Sequence, residues 1–188
     1  REYNAYGMGW MYRTTEMTAA FTRSQLKRLD WITERIIENS HYLSDNLRHI
    51  KGVKVPVEPP GRKHVFWVYK VLFYPEELGL KTPLKIFRDK VEAALRAEGV
   101  EVGRPEFIIP DMTLFNQKEG YGRGCPWSCH LYGKDIEYRA EDYPGAMEAL
   151  DRNTGISGTK PPNGIELMER YVEAFHKVFD NLPEVLAA

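Results

Sequence analysis

Apolar residues at Leu29, Ile32, Ile36, Leu43 and Leu47 recur in steps of three and four or their sums, with Lys27, Arg28, Glu34 and Arg35 between them. That spacing puts one apolar stripe on a helix and turns the charged remainder to water. Thr14 and Thr15 can cap this helix, and Glu16 in its first turn suits the positive end of the dipole. Helical character is therefore predicted from there to about Asn46. At about 1.5 Å per residue such a rod is roughly 45 Å long, more than most small domains are wide, and it is expected to bridge two bodies or subunits.

Gly52 interrupts the pattern, and Val53, Val55 and Val57 then alternate as a short strand before the turn Pro59, Pro60, Gly61. From His64 to Phe73 the chain is β-branched and aromatic on both faces, the pattern of a central strand covered on each side. Thr82 caps a second helix with Pro83 at its first position. Leu84, Phe87, Val91, Ala94 and Leu95 give that helix an apolar face, and Gly99 stops it. Val100 and Val102 begin a return strand. Strand, helix, strand around a compact sheet predicts an α/β or α+β layer with helices packed on a small sheet. From Gly103 to Pro144 no period is visible, only a long stretch rich in Pro, Gly, Tyr and Trp, which is expected to be ordered against a partner. Ile165, Met168, Val172, Phe175, Phe179 and Leu182 step by three and four along a closing helix, read as core packing.

With 188 residues and 43% hydrophobic content the chain can bury one sizeable core. Its 26 basic and 27 acidic residues nearly cancel, so no global field draws it to nucleic acid or to an anionic membrane. No apolar run reaches the ~20 residues that cross a bilayer. Twelve per cent aromatic content is rich and hints at an oligomer. Cys125 and Cys129 are too few for a disulfide scaffold and suit a reducing cytoplasm. Arg1 begins neither a signal peptide nor a natural start, so the chain is expected to be cut from something longer.

The first segment reads Gly9, Trp10, Met11, Tyr12, Arg13, Thr14, Thr15, Glu16, Met17, Thr18, Ala19, Ala20, followed by Gln25, Leu26, Leu29 and Asp30. It resembles the DegT/DnrJ/StrS-type aminotransferases, fold type I pyridoxal-phosphate enzymes in which a Gly-x-Asn-x-Arg segment leads into a helix reading acidic-x-x-Ala-Ala and then Gln-Leu. The resemblance continues through the Gly-Val of the first strand, the His64 to Phe73 strand, Glu98-Gly99-Val100 and Arg104-Pro105, and it thins after about Pro110. It implies the C-terminal part of such an enzyme: an interface segment and connecting helix over residues 1–50, a small α/β domain over 51–188, and a cofactor-binding large domain upstream. It implies a homodimer, with a nucleotide-linked keto sugar or cyclitol as amino acceptor and an amino acid as donor.

In the family the segment carrying Arg13 reaches across the dimer interface into the neighbour's active site, so the resemblance implies that Arg13 helps hold cofactor phosphate or substrate there, with Tyr12 and Met11 beside it as cofactor-binding candidates. A planar guanidinium beside a helix start suits a phosphate dianion. The bland alternative is a surface pair of Arg13 with Glu16. Met11 stands where the family has Asn, and a thioether cannot donate the hydrogen bond that Asn makes. Trp10 and Arg104, inside the matching segments, are candidate substrate contacts, as are Tyr121 and Arg123, whose ring and guanidinium suit a sugar nucleotide. His64, a polar ring at a strand end, is a further candidate, with a structural histidine as its alternative. The lysine that would carry the cofactor as a Schiff base, with its acidic partner, falls upstream of Arg1 by the family's order. No catalytic residue is therefore assigned here, and the isolated chain is expected to be inactive. Some relatives replace that lysine with histidine and act as dehydratases, and Met11 also fits a homologue that lost the cofactor.

Cys125, Cys129 and His130 supply three soft ligands where zinc wants four, so no metal is expected. Gly120, Gly122 and Gly124 look like a phosphate loop but lack the strand before and the helix after.

Overall fold

Four short strands form a sheet whose spatial order departs from chain order. The computed structural model describes residues 12–103, 107–118, 123–132 and 134–187. Strands β1 (Val53–Lys54), β2 (Tyr69–Phe73), β3 (Val102–Gly103) and β4 (Asn153–Ile156) lie in the order β1-β2-β4-β3, each neighbouring pair antiparallel. Strands β2 and β3 thus run parallel. Helix α3 (Leu84–Ala97) connects them, and β4 fills the space between, opposed to both. This is a split β-α-β unit, an α+β solution to covering a small sheet with helices.

Tyr69, Val71 and Phe73 point to one face of β2 and are fully buried, while Lys70 on the other face is exposed and Leu72 is half-buried. The expectation of a strand covered on both sides holds for one side only. Helices α2 (Leu29–Leu47) and α6 (Ile165–Asp180) pack on each other, and Leu43, Leu47, Phe87 and Phe175 join the strand side chains in one core. Each such side chain contributes about 1.5–3 kcal/mol relative to exposure.

Several boundaries moved. The single rod to Asn46 is two helices, α1 (Glu16–Leu26) and α2, separated at Lys27 and Arg28. Every residue of α1 is exposed, so no packing holds it on the axis of α2, and the Arg28 amide turns back to the Gln25 carbonyl at 2.9 Å. Strand β1 stops at Lys54. Its register puts Pro56 opposite Lys70, and proline has no N–H to extend the ladder. The strand predicted from His64 begins only at Tyr69, because Phe66 takes a left-handed φ of 43°. Pro83, not Thr82, caps α3, without a side-chain hydrogen bond. Its other end follows the expectation: Gly99 at φ 88° donates to Arg96 O at 3.0 Å and Val100 to Leu95 O at 2.9 Å, a Schellman closure. The closing helix ends at Asp180, and a short α7 (Leu182–Ala187) follows.

Among the described residues between Gly103 and Pro144 there are one short α-helix, α4 (Thr113–Gln117), two single 3-10 turns (Ile109–Asp111 and Ala140–Asp142), and a small aromatic cluster of Phe115, Trp127 and Tyr138. The Trp127 indole N–H donates to the Tyr138 hydroxyl at 3.0 Å. Helix α5 (Pro144–Arg152) then delivers the chain to β4.

Candidate functional site

Two places carry the sequence-predicted residues. The first is the start of α1. Thr15 has extended backbone (φ −89°, ψ 158°) and its hydroxyl accepts the Thr18 amide at 3.3 Å, which is the capping role expected of it. Arg13 lies two positions earlier, exposed, with no hydrogen bond or ion pair among the described residues, so the surface pair with Glu16 is not formed. Tyr12 is also exposed. Met17, Phe21 and Leu26 on α1, with Leu29 and Trp31 at the start of α2, leave an apolar face uncovered, with Met17 84% exposed. Faces of this kind mark association surfaces. Trp10, Met11, Arg104 and Tyr121 lie outside the described residues.

The second place is a groove that His64 adjoins through its backbone bond to Glu58. Because β1 peels from β2 beyond Lys54, an open groove of about 790 Å³ remains, bounded by His41, Ser44 and Arg48 of α2 on one side and residues 53–58 on the other. Glu58 spans it. One carboxylate oxygen meets His41 Nε2 at 2.6 Å and the other accepts the His64 backbone N–H at 2.8 Å. The bond from the His64 amide, and next the bond to His41, hold the Glu58 carboxyl below its usual range.

His64 Nδ1 in turn accepts the Phe66 amide at 2.8 Å, which assigns the remaining ring proton to Nε2. That bond closes the left-handed turn at Phe66, whose ring is buried against His41, His64 and Tyr69. Beneath it the Tyr69 hydroxyl and Ser44 Oγ lie 2.9 Å apart, and burial pushes the Tyr69 phenol up to about 12, against the opposing effect of the Ser44 bond.

His64 therefore works through its backbone N–H and Nδ1 as a fastener of local structure. Arg123 sits at φ 51° in a turn where its carbonyl accepts Ser128 Oγ at 2.7 Å. No hydrogen bond or ion pair joins Arg13, His64 and Arg123 among the described residues. Cys125 and Cys129 are free thiols, and no group of three His, Cys, Asp or Glu able to hold a metal occurs among the described residues. No helix there is long and apolar enough to cross a membrane.

Sequence reasoning missed the His41–Glu58 pair and the buried Arg88 of α3. His41 and Glu58 stand 17 positions apart on different elements, a separation no local motif reveals. Arg88 could have been found: it immediately follows Phe87 on the apolar face of α3.

The sequence profile of the DegT/DnrJ/EryC1/StrS aminotransferase family matches residues 1–137. A curated protein of Micromonospora echinospora named "Putative L-glutamine:3-amino-2,3-dideoxy-scyllo-inosose aminotransferase" is 30% identical over 177 residues, which cover 93% of this chain and 41% of that protein. Among solved structures, S. venezuelae DesV superposes with a TM-score of 0.71 at 16% identity, over 96% of this chain and 41% of that one. An aminotransferase from Psychrobacter cryohalolentis gives 0.66 at 18% identity, over 96% and 44%. At these identities the structural likeness is one of fold. The chain spans about two fifths of the length of the proteins it matches.

Proposed function

The chain belongs to the DegT/DnrJ/EryC1/StrS aminotransferase family, and on that premise we propose that it is part of a pyridoxal-phosphate enzyme passing an amino group from an amino acid to a keto sugar or cyclitol. The Micromonospora relative carries L-glutamine and a scyllo-inosose in its name, which supports a donor and an acceptor of those classes. The observation that carries the reading is Arg13, an exposed guanidinium with no partner among the described residues, just ahead of a capped helix that buries nothing of its own.

The residues present fit a phosphorylated cofactor. A planar guanidinium can hold two phosphate oxygens at once, and the adjacent helix start adds favourable dipole. Pyridoxal phosphate, when bound, supplies the carbonyl that takes up an amino group and a ring that disperses negative charge. This chain's share would be binding and orientation: Arg13, with Tyr12 and Met11, would hold the phosphate, and Trp10, Arg104, Tyr121 and Arg123 would contact the acceptor. His64 contributes by holding the turn at Phe66. The apolar face of Met17, Phe21 and Leu26 supports a homodimer in which a second subunit covers α1. The two free cysteines support a reducing compartment, the cytoplasm. Met11, which lacks the donor of the family's Asn, supports the second reading of a homologue without cofactor.

The test is Arg13→Ala and Arg13→Lys in the complete polypeptide. Loss of at least about tenfold in cofactor affinity for Arg13→Ala, the worth of one charge-assisted contact, with dimer content unchanged, is the expected result. Cofactor retention and amino transfer at the wild-type level would refute it. The 188-residue chain alone is expected to show no stoichiometric binding of pyridoxal phosphate.

A further inference from the structure

A partly enclosed cavity of about 190 Å³ lies where residues 107–111 meet α3 and α5, away from the groove at His64 and from Arg13. Its charged lining has both signs: Lys85 and Arg88 from α3, Asp111 from the irregular stretch, and Asp151 from α5. Its remaining wall is apolar, made by Phe107, Ile108, Met147 and Leu150.

Arg88 is the fixed floor. It is 1% exposed, and its guanidinium donates to the Leu150 carbonyl at 2.8 Å, to Asp151 at 3.2 Å and to Asp89 at 3.0 and 2.7 Å. Two carboxylates thus already neutralise it, so it cannot by itself demand an anion. Lys85 and Asp111 stand at the exposed mouth, and neither has an ion pair or side-chain hydrogen bond among the described residues. The mouth therefore offers one unengaged cation and one unengaged anion above an apolar wall.

A simple anion entering here meets the unengaged Asp111, and a simple cation meets the unengaged Lys85. Only a ligand carrying both charges satisfies the mouth without repulsion, and a partly closed site strengthens that matching relative to open water. The volume equals the share of roughly six water molecules, which an amino acid of leucine size displaces. We propose that this cavity binds a small zwitterion, an α-amino acid with an aliphatic side chain. Its carboxylate meets Lys85 and its ammonium meets Asp111 and the second oxygen of Asp151. Its side chain lies between Phe107, Ile108, Met147 and Leu150.

The bound amino acid ties residues 107–111 to α3 and α5, which Arg88 already joins to each other. The site uses none of the residues assigned to cofactor or acceptor, so it stands or falls apart from the amino-transfer reading.

Isothermal titration of the 188-residue chain tests it, with L-leucine, 4-methylpentanoate, 3-methylbutylamine and L-glutamine as probes. The expected result is saturable one-site binding of L-leucine. Each probe lacking one charge, and L-glutamine with its polar side chain, should bind at least about tenfold more weakly, the loss of one ion pair or of apolar fit. Lys85→Met and Asp111→Asn, both at exposed positions, should each weaken L-leucine by a similar factor. Met147→Trp should fill the cavity and abolish binding, with an unchanged unfolding midpoint showing that the fold is intact. No saturable binding of L-leucine, equal binding of the one-charge probes or of L-glutamine, or wild-type affinity in both Lys85→Met and Asp111→Asn would each overturn the proposal.

Discussion

Asn39 ties α2 to the loop that precedes α6. Its side chain is 1% exposed, and its amide nitrogen donates to the Thr159 carbonyl at 3.0 Å and to the Asn163 carbonyl at 3.1 Å. Asn163 extends the tie by donating to the Gly158 carbonyl at 3.0 Å. Asn39→Ala removes both donors and leaves two carbonyls facing a small void. A neutral hydrogen bond is worth about 1 kcal/mol net, and a buried unsatisfied acceptor costs about 1–3 kcal/mol, so the loss should be about 2–4 kcal/mol. For a chain of this size that corresponds to a fall of roughly 6–12 °C in thermal midpoint.

Asn39→Asp should be worse at neutral pH, because a carboxylate can only accept and would face two acceptors. Burial among carbonyls raises the carboxyl pKa of that variant above its unfolded value. The folded state then binds more protons than the unfolded one between the two values, and stability must fall as pH rises through that window. Urea unfolding of the three proteins across the carboxylate range checks both points. A loss below about 0.5 kcal/mol for Asn39→Ala, or Asn39→Asp losing no more stability than Asn39→Ala at neutral pH, would refute the reasoning.

Two further perturbations probe the neighbourhood. Glu58 is held below its usual pKa first by the His64 amide and then by His41, so its contribution is present above the ordinary carboxylate range and is lost as pH falls through the folded value. Glu58→Gln should remove that acid-side slope from the difference curve of urea midpoint against pH, and parallel curves would argue against it. Gly158 has φ +81°, and an added Cβ would lie 2.8 Å from the Tyr171 hydroxyl oxygen. Gly158→Ala should cost about 1–3 kcal/mol, and less in a Tyr171→Phe background, where the overlap is eased but the backbone strain remains; equal costs in both backgrounds would show that the hydroxyl plays no part.

The sequence is most legible where a signal is local. Thr15 caps α1 as its hydroxyl and Glu16 imply, and Gly99 closes α3 because only a residue tolerant of positive φ allows the Schellman bonds there. Strand β4 was invisible for the opposite reason. Asn153, Thr154, Gly155 and Ile156 include two residue types that strands disfavour, and all four are buried, so no alternation marks them. Only the partners β2 and β3 make them a strand. At the candidate sites, the segment around Arg13 is what singles that residue out as a candidate, whereas nothing local foretold the contacts of His64. Its ring is fixed by Phe66 and its amide by Glu58, contacts that arise from a turn hidden inside a pattern that reads as extended. The predicted continuity of α1 with α2 failed because periodicity alone does not say whether anything is available to pack on the stripe.

The late arrival of β4 governs how the sheet can be assembled. Lys70 and Asn153, whose side chains meet at 3.5 Å, are separated by 83 positions. During synthesis β2 emerges early and waits, its inner edge open, until α5 and β4 have followed. Closing so large a loop is entropically costly before any contact rewards it, and slow nucleation is the usual result. Until then, the unpaired inner edge of β2 is the point at which self-association competes with productive collapse.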